Sequence, residues 1–321
     1  MSRKIGIVMD PLGAIKTYKD STYAMMREIR ARGWELFVME QADLVVKDET
    51  VKAHVQQLDI HHGEDAWYSV LDEREIALRE LDAILMRKDP PFDMEYIYST
   101  YMLEIAENEG VLIVNKPQSL RDANEKMFTT LFPQCTPPLL VTRKASEVHA
   151  FLQEHGDVVL KPLDGMGGAS IFRLKEGDGN RNVILETLTE RGTRYVMAQR
   201  YIPEIKQGDK RILIIDGEVV PYSLARIPPK DDFRGNMAVG GTAVGQEMSE
   251  RDRWIAEQVG PTLRDKGLIF VGIDVIGDYL TEVNVTSPTG IQELDNSFDL
   301  NISGLLMDAV EARLQAKGVA S

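Results

Sequence analysis

The chain has 321 residues, 43% of them hydrophobic, which is length enough for about two domains with sizeable cores. Its 37 basic and 51 acidic residues leave a net charge of −14, which excludes a protein that coats nucleic acid or grips a membrane by a polybasic patch, since both need a positive surface. The single cysteine, Cys135, excludes an intrachain disulfide framework, and the apolar run at 5–9 is too short for a signal-peptide core, so a soluble cytoplasmic protein is expected.

In chain order, residues 4–9 read as a buried strand, rich in β-branched residues. Asp20 and Ser21 are placed to cap a helix reaching residue 32, with Ala24, Met25 and Ile29 at helical spacing. Gly33 ends it and a strand follows at 36–39. The stretch 59–69 has no regular pattern and is left unassigned. A second helix–strand unit spans 95–115; its helix carries Tyr98, Tyr101, Met102, Ile105 and Ala106 on one face. Strand, helix, strand at this spacing predicts a mainly parallel sheet that closes near Arg121.

Asn124 then opens a smaller α/β segment, with strands at 139–142, 158–161, 170–174 and 195–200 and helices at 147–152 and 184–189. The last third reads as antiparallel. Strands at 210–215 and 218–226 flank Asp216-Gly217, a hairpin signal, and a long polar loop runs to Gly245. A helix at 250–266, a hairpin at 270–285 and a closing helix at 302–316 complete the chain.

Four features bear on chemistry. In VVLKPLDGMGGASIF (158–172) a strand ends at Lys161 and leads into a glycine-rich loop, whose backbone amides can approach phosphate oxygens closely. It is neither a Walker loop nor GxGxxG, and it also reads as a glycine hairpin beside a lysine. In the hairpin FVGIDVIGDYLTEVNVTSPTG (270–290), Glu282 and Asn284 share a face. A two-residue turn would turn Asp274 away from them. A three-residue turn, 277–279, pairs Asp274 with Glu282 and aligns Val271, Ile273 and Val275 with Val283 and Val285, so the hydrophobic pattern favours it. Asp274, Glu282 and Asn284 would then offer three hard oxygen donors suited to Mg²⁺.

The third feature is a set of cations, Lys126, Lys161, Arg211, Arg226 and Arg234, which would form an anion site if they converge. A regular hairpin about Asp216-Gly217 sets Arg211 opposite Tyr222 and Arg226 opposite Gln207, displaced from each other, and singly each reads as a solvated charge. The fourth is the loop RIPPKDDFRGNMAVGGTAVG (226–245), too long to be a plain connection, with Arg234, Gly240 and Gly241 in a pattern suited to a lid.

Together these residues resemble the ATP-grasp superfamily and, within it, the prokaryotic glutathione synthetases. The resemblance runs nearly end to end, through GIVMDP (6–11), LMRKDPPFD (85–93), IVNKPQSLRDANEK (113–126), LKPLDGMGGASIF (160–172), DKRILIIDG (209–217), LARIP (224–228), RGN (234–236) and LTEVNVTSPTG (280–290). It implies an α/β fold, α+β in its C-terminal part: a Rossmann-like pre-ATP-grasp domain (1–122), then a two-lobed ATP-grasp unit. The central lobe (123–203) holds the glycine-rich loop. The C-terminal lobe (204–321) holds the metal site and the lid (228–245).

The reaction implied is ATP-dependent joining of γ-glutamylcysteine and glycine through an acyl phosphate. The cofactors are ATP and Mg²⁺, with Mn²⁺ as an alternative. By resemblance, Lys126, Lys161, Gly167, Gly168, Gln199, Tyr201, Ile202 and Asp209 hold the nucleotide. Arg211, Arg226, Arg234 and Gly241 serve the reacting groups. Arg87, Asn284, Ser287 and Thr289 lie on the substrate side. Asp274, Glu282 and Asn284 hold the metal. A homotetramer is also implied. Two other readings stay open: a related carboxylate–amine ligase with a different substrate, and a non-catalytic ATP-binding scaffold. The sequence departs from the family pattern mainly within the lid.

Overall fold

The first apolar run becomes the centre of a mixed sheet. In this computed structural model, which describes residues 2–61, 66–230, 234–235 and 240–319, β1 (Lys4–Val8) pairs in parallel with β2 (Glu35–Met39) on one side and with β6 (Ala83–Met86) on the other. The sheet is completed by β3 (Leu44–Lys47), β4 (Thr50–Ile60), β5 (Tyr68–Ala77) and β7 (Leu112–Val114), in the order β3-β4-β2-β1-β6-β7 with β5 on β4. The helices of this part are α1 (Ser21–Ala31), α2 (Met94–Asn108) and α3 (Pro117–Asp122). Asp20 caps α1 by accepting from the amides of Thr22 and Tyr23. Pro117 begins a helix, in keeping with its lack of an amide proton, while Asn124 caps only a short 3-10 turn.

The sheet is mixed rather than mainly parallel as expected, with β2-β4, β3-β4 and β4-β5 paired antiparallel. The stretch 59–69, left unassigned, borders the two long strands β4 and β5. Most of β5 is solvent-exposed, so no hydrophobic alternation announces it. Helix α2 buries Tyr96, Ser99, Thr100, Leu103 and Ala106, while Tyr98 and Tyr101 are 48% and 49% exposed. Small hydroxyl residues face inward because their side chains donate to the helix's own carbonyls, Ser99 to Glu95 and Thr100 to Ile97, and bury at little cost.

The central part has a four-stranded antiparallel sheet: β8 (Leu139–Thr142), β9 (Asp157–Pro162), β10 (Phe172–Lys175) and β11 (Val196–Arg200), ordered β10-β9-β11-β8. It is backed by α4 (Ala145–His155) and α5 (Arg181–Leu188). Its core is its own: Val148, Leu152, Val158, Leu160, Leu174, Leu185, Leu188, Val196 and Ala198.

The last part holds a five-stranded antiparallel sheet: β12 (Asp209–Ile215), β13 (Glu218–Ile227), β14 (Thr242–Glu247), β15 (Phe270–Ile276) and β16 (Tyr279–Asn284), ordered β14-β13-β12-β15-β16. The helices are α6 (Glu250–Asp265), α7 (Ile291–Phe298) and α8 (Ile302–Val319). Residues 242–245, expected as loop, belong to β14 and pair with β13. The first and third sheets share their cores: Val8 and Ile84 cluster with Ile212 and Val271, and Ile5 and Leu85 with Leu213 and Phe270. The buried Asn115 side chain joins the two parts, meeting the backbone of Phe270 and Val285. Among the described residues, no helix is long and apolar enough to cross a membrane.

Candidate active site

Register decides where the arginines point. The turn pairs Ile215 with Glu218 as expected, but the pairing shifts between Ile212 and Ile214, where β13 carries extra residues around Pro221. A proline cannot donate to the ladder, so the strand bulges there. Arg211 therefore lies opposite Leu224 rather than Tyr222, and Arg226 opposite Asp209 rather than Gln207. Both side chains now reach the same face. On the other side of β12, Arg211 pairs with Asp274 of β15. The Arg211 guanidinium donates to Asp274 through Nε at 2.5 Å and Nη2 at 3.0 Å, while Arg226 Nη2 lies 2.8 Å from Asp274 Oδ2 and 2.5 Å from Asp209 Oδ2. Burial works against the Asp274 charge, but Arg211 and Arg226 outweigh it and hold the carboxyl well below its usual range. Burial has the upper hand at Asp209, which is pushed up to about 6 against the pull of Arg226.

The hairpin of β15 and β16 reaches the expected cluster by another route. The three-residue turn does not form. Ile276 pairs with Tyr279 across the two-residue turn Gly277-Asp278, and a shift next to Asp274 sets Asp274 opposite Glu282. Thr281 is the extra residue, and its hydroxyl donates to the Asp274 carbonyl at 3.1 Å. Asn284 Nδ2 donates to Asp274 Oδ2 at 3.1 Å.

Glu282 faces two ammonium groups, Lys161 Nζ at 3.6 Å and Lys126 Nζ at 3.8 Å. Lys126 is 1% exposed, yet it keeps its charge: burial opposes it, and Glu282 and Glu125 outweigh burial. Burial and then Glu282 push Glu125 up to about 7, against Lys126. Lys126, Lys161, Arg211 and Arg226 thus face Asp209, Asp274, Glu125 and Glu282, four positive groups against four negative ones. In so balanced a cluster an anionic ligand can take the cations only if it brings a counter-cation or the released carboxylates take up protons.

The donor chemistry at this place fits a hard divalent cation in part. Among the described residues, the Glu282 carboxylate has only its two lysine neighbours as ion partners and no side-chain hydrogen bond, and Asn284 adds an amide oxygen beside it. Asp274 is engaged on both oxygens by guanidiniums. Among the described residues, no cluster of three or more His, Cys, Asp or Glu side chains could enclose an ion, so phosphate oxygens and water must complete the shell, as Mg²⁺ prefers.

The glycine-rich loop between β9 and β10 turns through left-handed backbone at Gly167 (φ 62°) and Gly168 (φ 80°), which side chains rarely tolerate. It meets the segment expected as a lid: Arg234 Nη1 donates to the Gly168 carbonyl at 3.0 Å. Beside it, Gly235 packs so closely that a Cβ would sit 2.4 Å from the Arg226 carbonyl oxygen. Gly241 directly precedes β14 and lines neither cavity of the cleft. Asn236 and residues 237–239 of the expected lid, with 231–233, lie outside the described residues.

Two cavities share Ile171 and Glu282, with Lys161 on the wall of one and Lys126 on the wall of the other. The first is mainly apolar and is lined by Val159, Ile171, Gln199, Tyr201, Ile202 and Ile276, with Asp209 also on its wall. Gln199 Nε2 and Asp209 Oδ1 are buried there without a hydrogen-bond partner among the described residues. The other is lined by polar and apolar groups in about equal measure and runs from the glycine loop past Arg211, Arg226 and Asn284 to Ser287 and Thr289, with Asp89, Pro90 and Glu125 on its wall. Arg87 lies behind this wall. It donates to the Pro288 carbonyl at 3.0 Å and to Thr22 at 3.2 Å, with Nη1 unpartnered, and burial lowers it to about 10. Glu125, Thr281 and Ile276 were missed as site residues. Only Glu125 had a signal, its place beside Lys126 in NEK.

Comparison with known proteins agrees with this geometry. The profile described as prokaryotic glutathione synthetase, N-terminal domain, matches residues 3–121, and that of the prokaryotic glutathione synthetase ATP-grasp domain matches residues 125–299. The chain is 60% identical over 317 residues to a glutathione synthetase of Pseudomonas syringae pv. tomato, with 99% of both chains covered. It is 58% identical over 312 residues to one of Escherichia coli O6:H1, covering 97% of this chain and 99% of the other. Among solved structures, D-cycloserine synthetase DcsG aligns at a TM-score of 0.67 and 14% identity, over 97% of this chain and 99% of that one. The ATP-grasp ligase PsnB, solved with the precursor peptide PsnA2 and AMPPNP, aligns at 0.63 and 19% identity, over 97% and 98%. At these identities the likeness is one of fold.

Proposed function

This chain belongs to the prokaryotic glutathione synthetases and is an ATP-dependent ligase that makes glutathione; we propose that it does so by joining γ-glutamylcysteine to glycine through an acyl phosphate, with the residues of the cleft in the following roles. The apolar cavity takes the adenine along the Gln199–Ile202 edge, and the unpartnered oxygen of Asp209 meets the ribose. Lys126, Lys161 and the amides of Gly167 and Gly168 receive the phosphates. Glu282 and Asn284 hold Mg²⁺, or Mn²⁺ in its place, which neutralises phosphate charge when bound.

Arg211 and Arg226, held by their shared partner Asp274, line the second cavity together with Glu282. There they steady the charge that develops as the dipeptide carboxylate accepts a phosphoryl group and as the glycine amine then displaces phosphate. Arg234, fastened to the glycine loop, helps exclude water from the acyl phosphate. Ser287, Thr289 and Asn284 line the dipeptide's side, with Arg87 supporting that wall from behind. The division into 1–122, 123–203 and 204–321 is supported by the three separate sheets. A homotetramer and a cytoplasmic location remain part of this reading by resemblance to the family.

The observation that carries this assignment is the Arg211–Asp274–Arg226 arrangement in the same cavity as Glu282, the carboxylate that this cavity shares with the apolar one. Phosphate release from ATP is expected to require both γ-glutamylcysteine and glycine, with glutathione as the product by mass. Release that ignores either substrate would overturn the reading. Glu282→Gln is expected to lower turnover by about 10²-fold while the urea midpoint stays in place.

A further inference from the structure

Glu125 has no part in the roles set out above, yet it sits at the meeting point of the cluster. Its backbone is fixed: its carbonyl accepts from the Val283 amide at 2.8 Å, between the proposed metal ligands Glu282 and Asn284. The residue before it is fixed as well. Asn124 accepts from the amides of Lys126 and Met127 and donates to the Leu163 carbonyl at 2.9 Å, at the entrance to the glycine loop. From this anchored position the Glu125 carboxylate grips Lys126 Nζ. The same ammonium donates to the Gly165 carbonyl at 2.7 Å.

Two carboxylates therefore compete for one ammonium. Glu125 is in hydrogen-bond contact with it, while Glu282 stands 3.8 Å away, beyond hydrogen-bond reach. Remove the charge at Glu125, and the nearest anion for Lys126 is Glu282. A lysine on Glu282 would be lost to the phosphates, and it would occupy the carboxylate that must take the cation. Attraction between buried charges is strong enough at this separation to make the choice matter.

We propose that Glu125 is a positioning residue for the ligase reaction, holding Lys126 against the glycine loop, ready for the nucleotide's phosphates, and keeping it off Glu282 so that the metal ligand stays open. The inference rests on the proposed contact of Lys126 with phosphate, and the experiment separates the two.

Steady-state kinetics are measured with ATP, Mg²⁺, γ-glutamylcysteine and glycine each varied in turn. Glu125→Gln, close in size and uncharged, is expected to raise KM for ATP and the Mg²⁺ concentration at half-maximal rate by about tenfold each. KM for glycine should stay in place, and kcat should change less than KM. Glu125→Asp should recover part of the loss. Lys126→Ala should raise KM for ATP on its own, and Glu125→Gln should add nothing in that background.

An unchanged KM for ATP and Mg²⁺ requirement in Glu125→Gln overturns the inference while leaving the role of Lys126 standing, provided Lys126→Ala still raises KM. An undiminished Glu125→Gln effect in the Lys126→Ala background also overturns it, because Glu125 would then act by another path. A Lys126→Ala enzyme with ordinary KM for ATP overturns both the phosphate role and the inference built on it.

Discussion

The Asn115 side chain uses both ends of its amide across a single interface. Its Oδ1 accepts from the Phe270 amide at 2.8 Å, and its Nδ2 donates to the Phe270 carbonyl at 2.8 Å and the Val285 carbonyl at 2.7 Å. Asn115→Ala leaves three buried backbone groups without a partner, so a loss of about 3 kcal/mol in unfolding free energy is expected. Urea denaturation with an unchanged m-value would show it; a loss under about 0.5 kcal/mol would mean the interface repacks. Residue identity also explains what could be read in advance at this scale. Lys161, Glu282 and Asn284 carry their meaning in local spacing, a lysine before a glycine loop and two donors two apart on a strand. Asn115 does not, and Glu125 does so only through its place beside Lys126. Their backbone partners, Val283 for Glu125 and Phe270 for Asn115, are more than a hundred residues away, and nothing near either in the chain announces those contacts.

The strands around the site, β9, β11, β12, β13, β15 and β16, were legible as elements because hydrophobic runs and turn residues mark them, but their register was not, and the exposed β5 and the polar β14 were not legible at all. Two irregularities, around Pro221 in β13 and at Thr281 in β16, each displace the pairing. Without the first, Arg211 and Arg226 would not share Asp274. Without the second, the two-residue turn would point Asp274 away from Glu282. Pro221 was a visible warning, since a proline inside a strand demands a bulge or an edge. Thr281 gave none. Helix α2 failed for a related reason: periodicity located the helix, but two small hydroxyl residues, not the tyrosines, allowed close packing.

In the segment proposed as a lid, one atom matters. At Gly235 a Cβ would lie 2.4 Å from the Arg226 carbonyl oxygen and 3.1 Å from Asp209 Cβ. Gly235→Ala is therefore expected to hold Arg234 off the glycine loop. ATP hydrolysis measured as phosphate should then exceed glutathione formed, by about twofold or more. A phosphate-to-glutathione ratio that stays at one would remove the lid from the role of excluding water.

Across the whole molecule, the three sheets are not equally joined. The first and third share two hydrophobic clusters, while the central sheet keeps nine buried residues to itself. Its ties to the rest at the cleft are polar, such as Lys161 to Glu282 and Arg200 to Tyr279. A part with a small private core opens at lower free energy than one that shares a larger core. Hydrogen exchange is expected to be faster, on average, for the amides of β8 to β11 than for those of β1, β6, β12 and β15, and a non-hydrolysable ATP analogue with Mg²⁺ should slow the central set most. Equal protection in all three sheets would contradict this. The private core has a consequence for descent and for engineering. The chain enters and leaves the central sheet once each, and its apolar interior asks nothing of its neighbours. The central sheet is thus an exchangeable cartridge in its apolar interior: that interior can drift in sequence, or be replaced by the matching piece of a relative, as long as the cleft-facing residues that meet Ile276 and Glu282 are kept, and without recutting the wall around Ser287 and Thr289 where the dipeptide would be chosen.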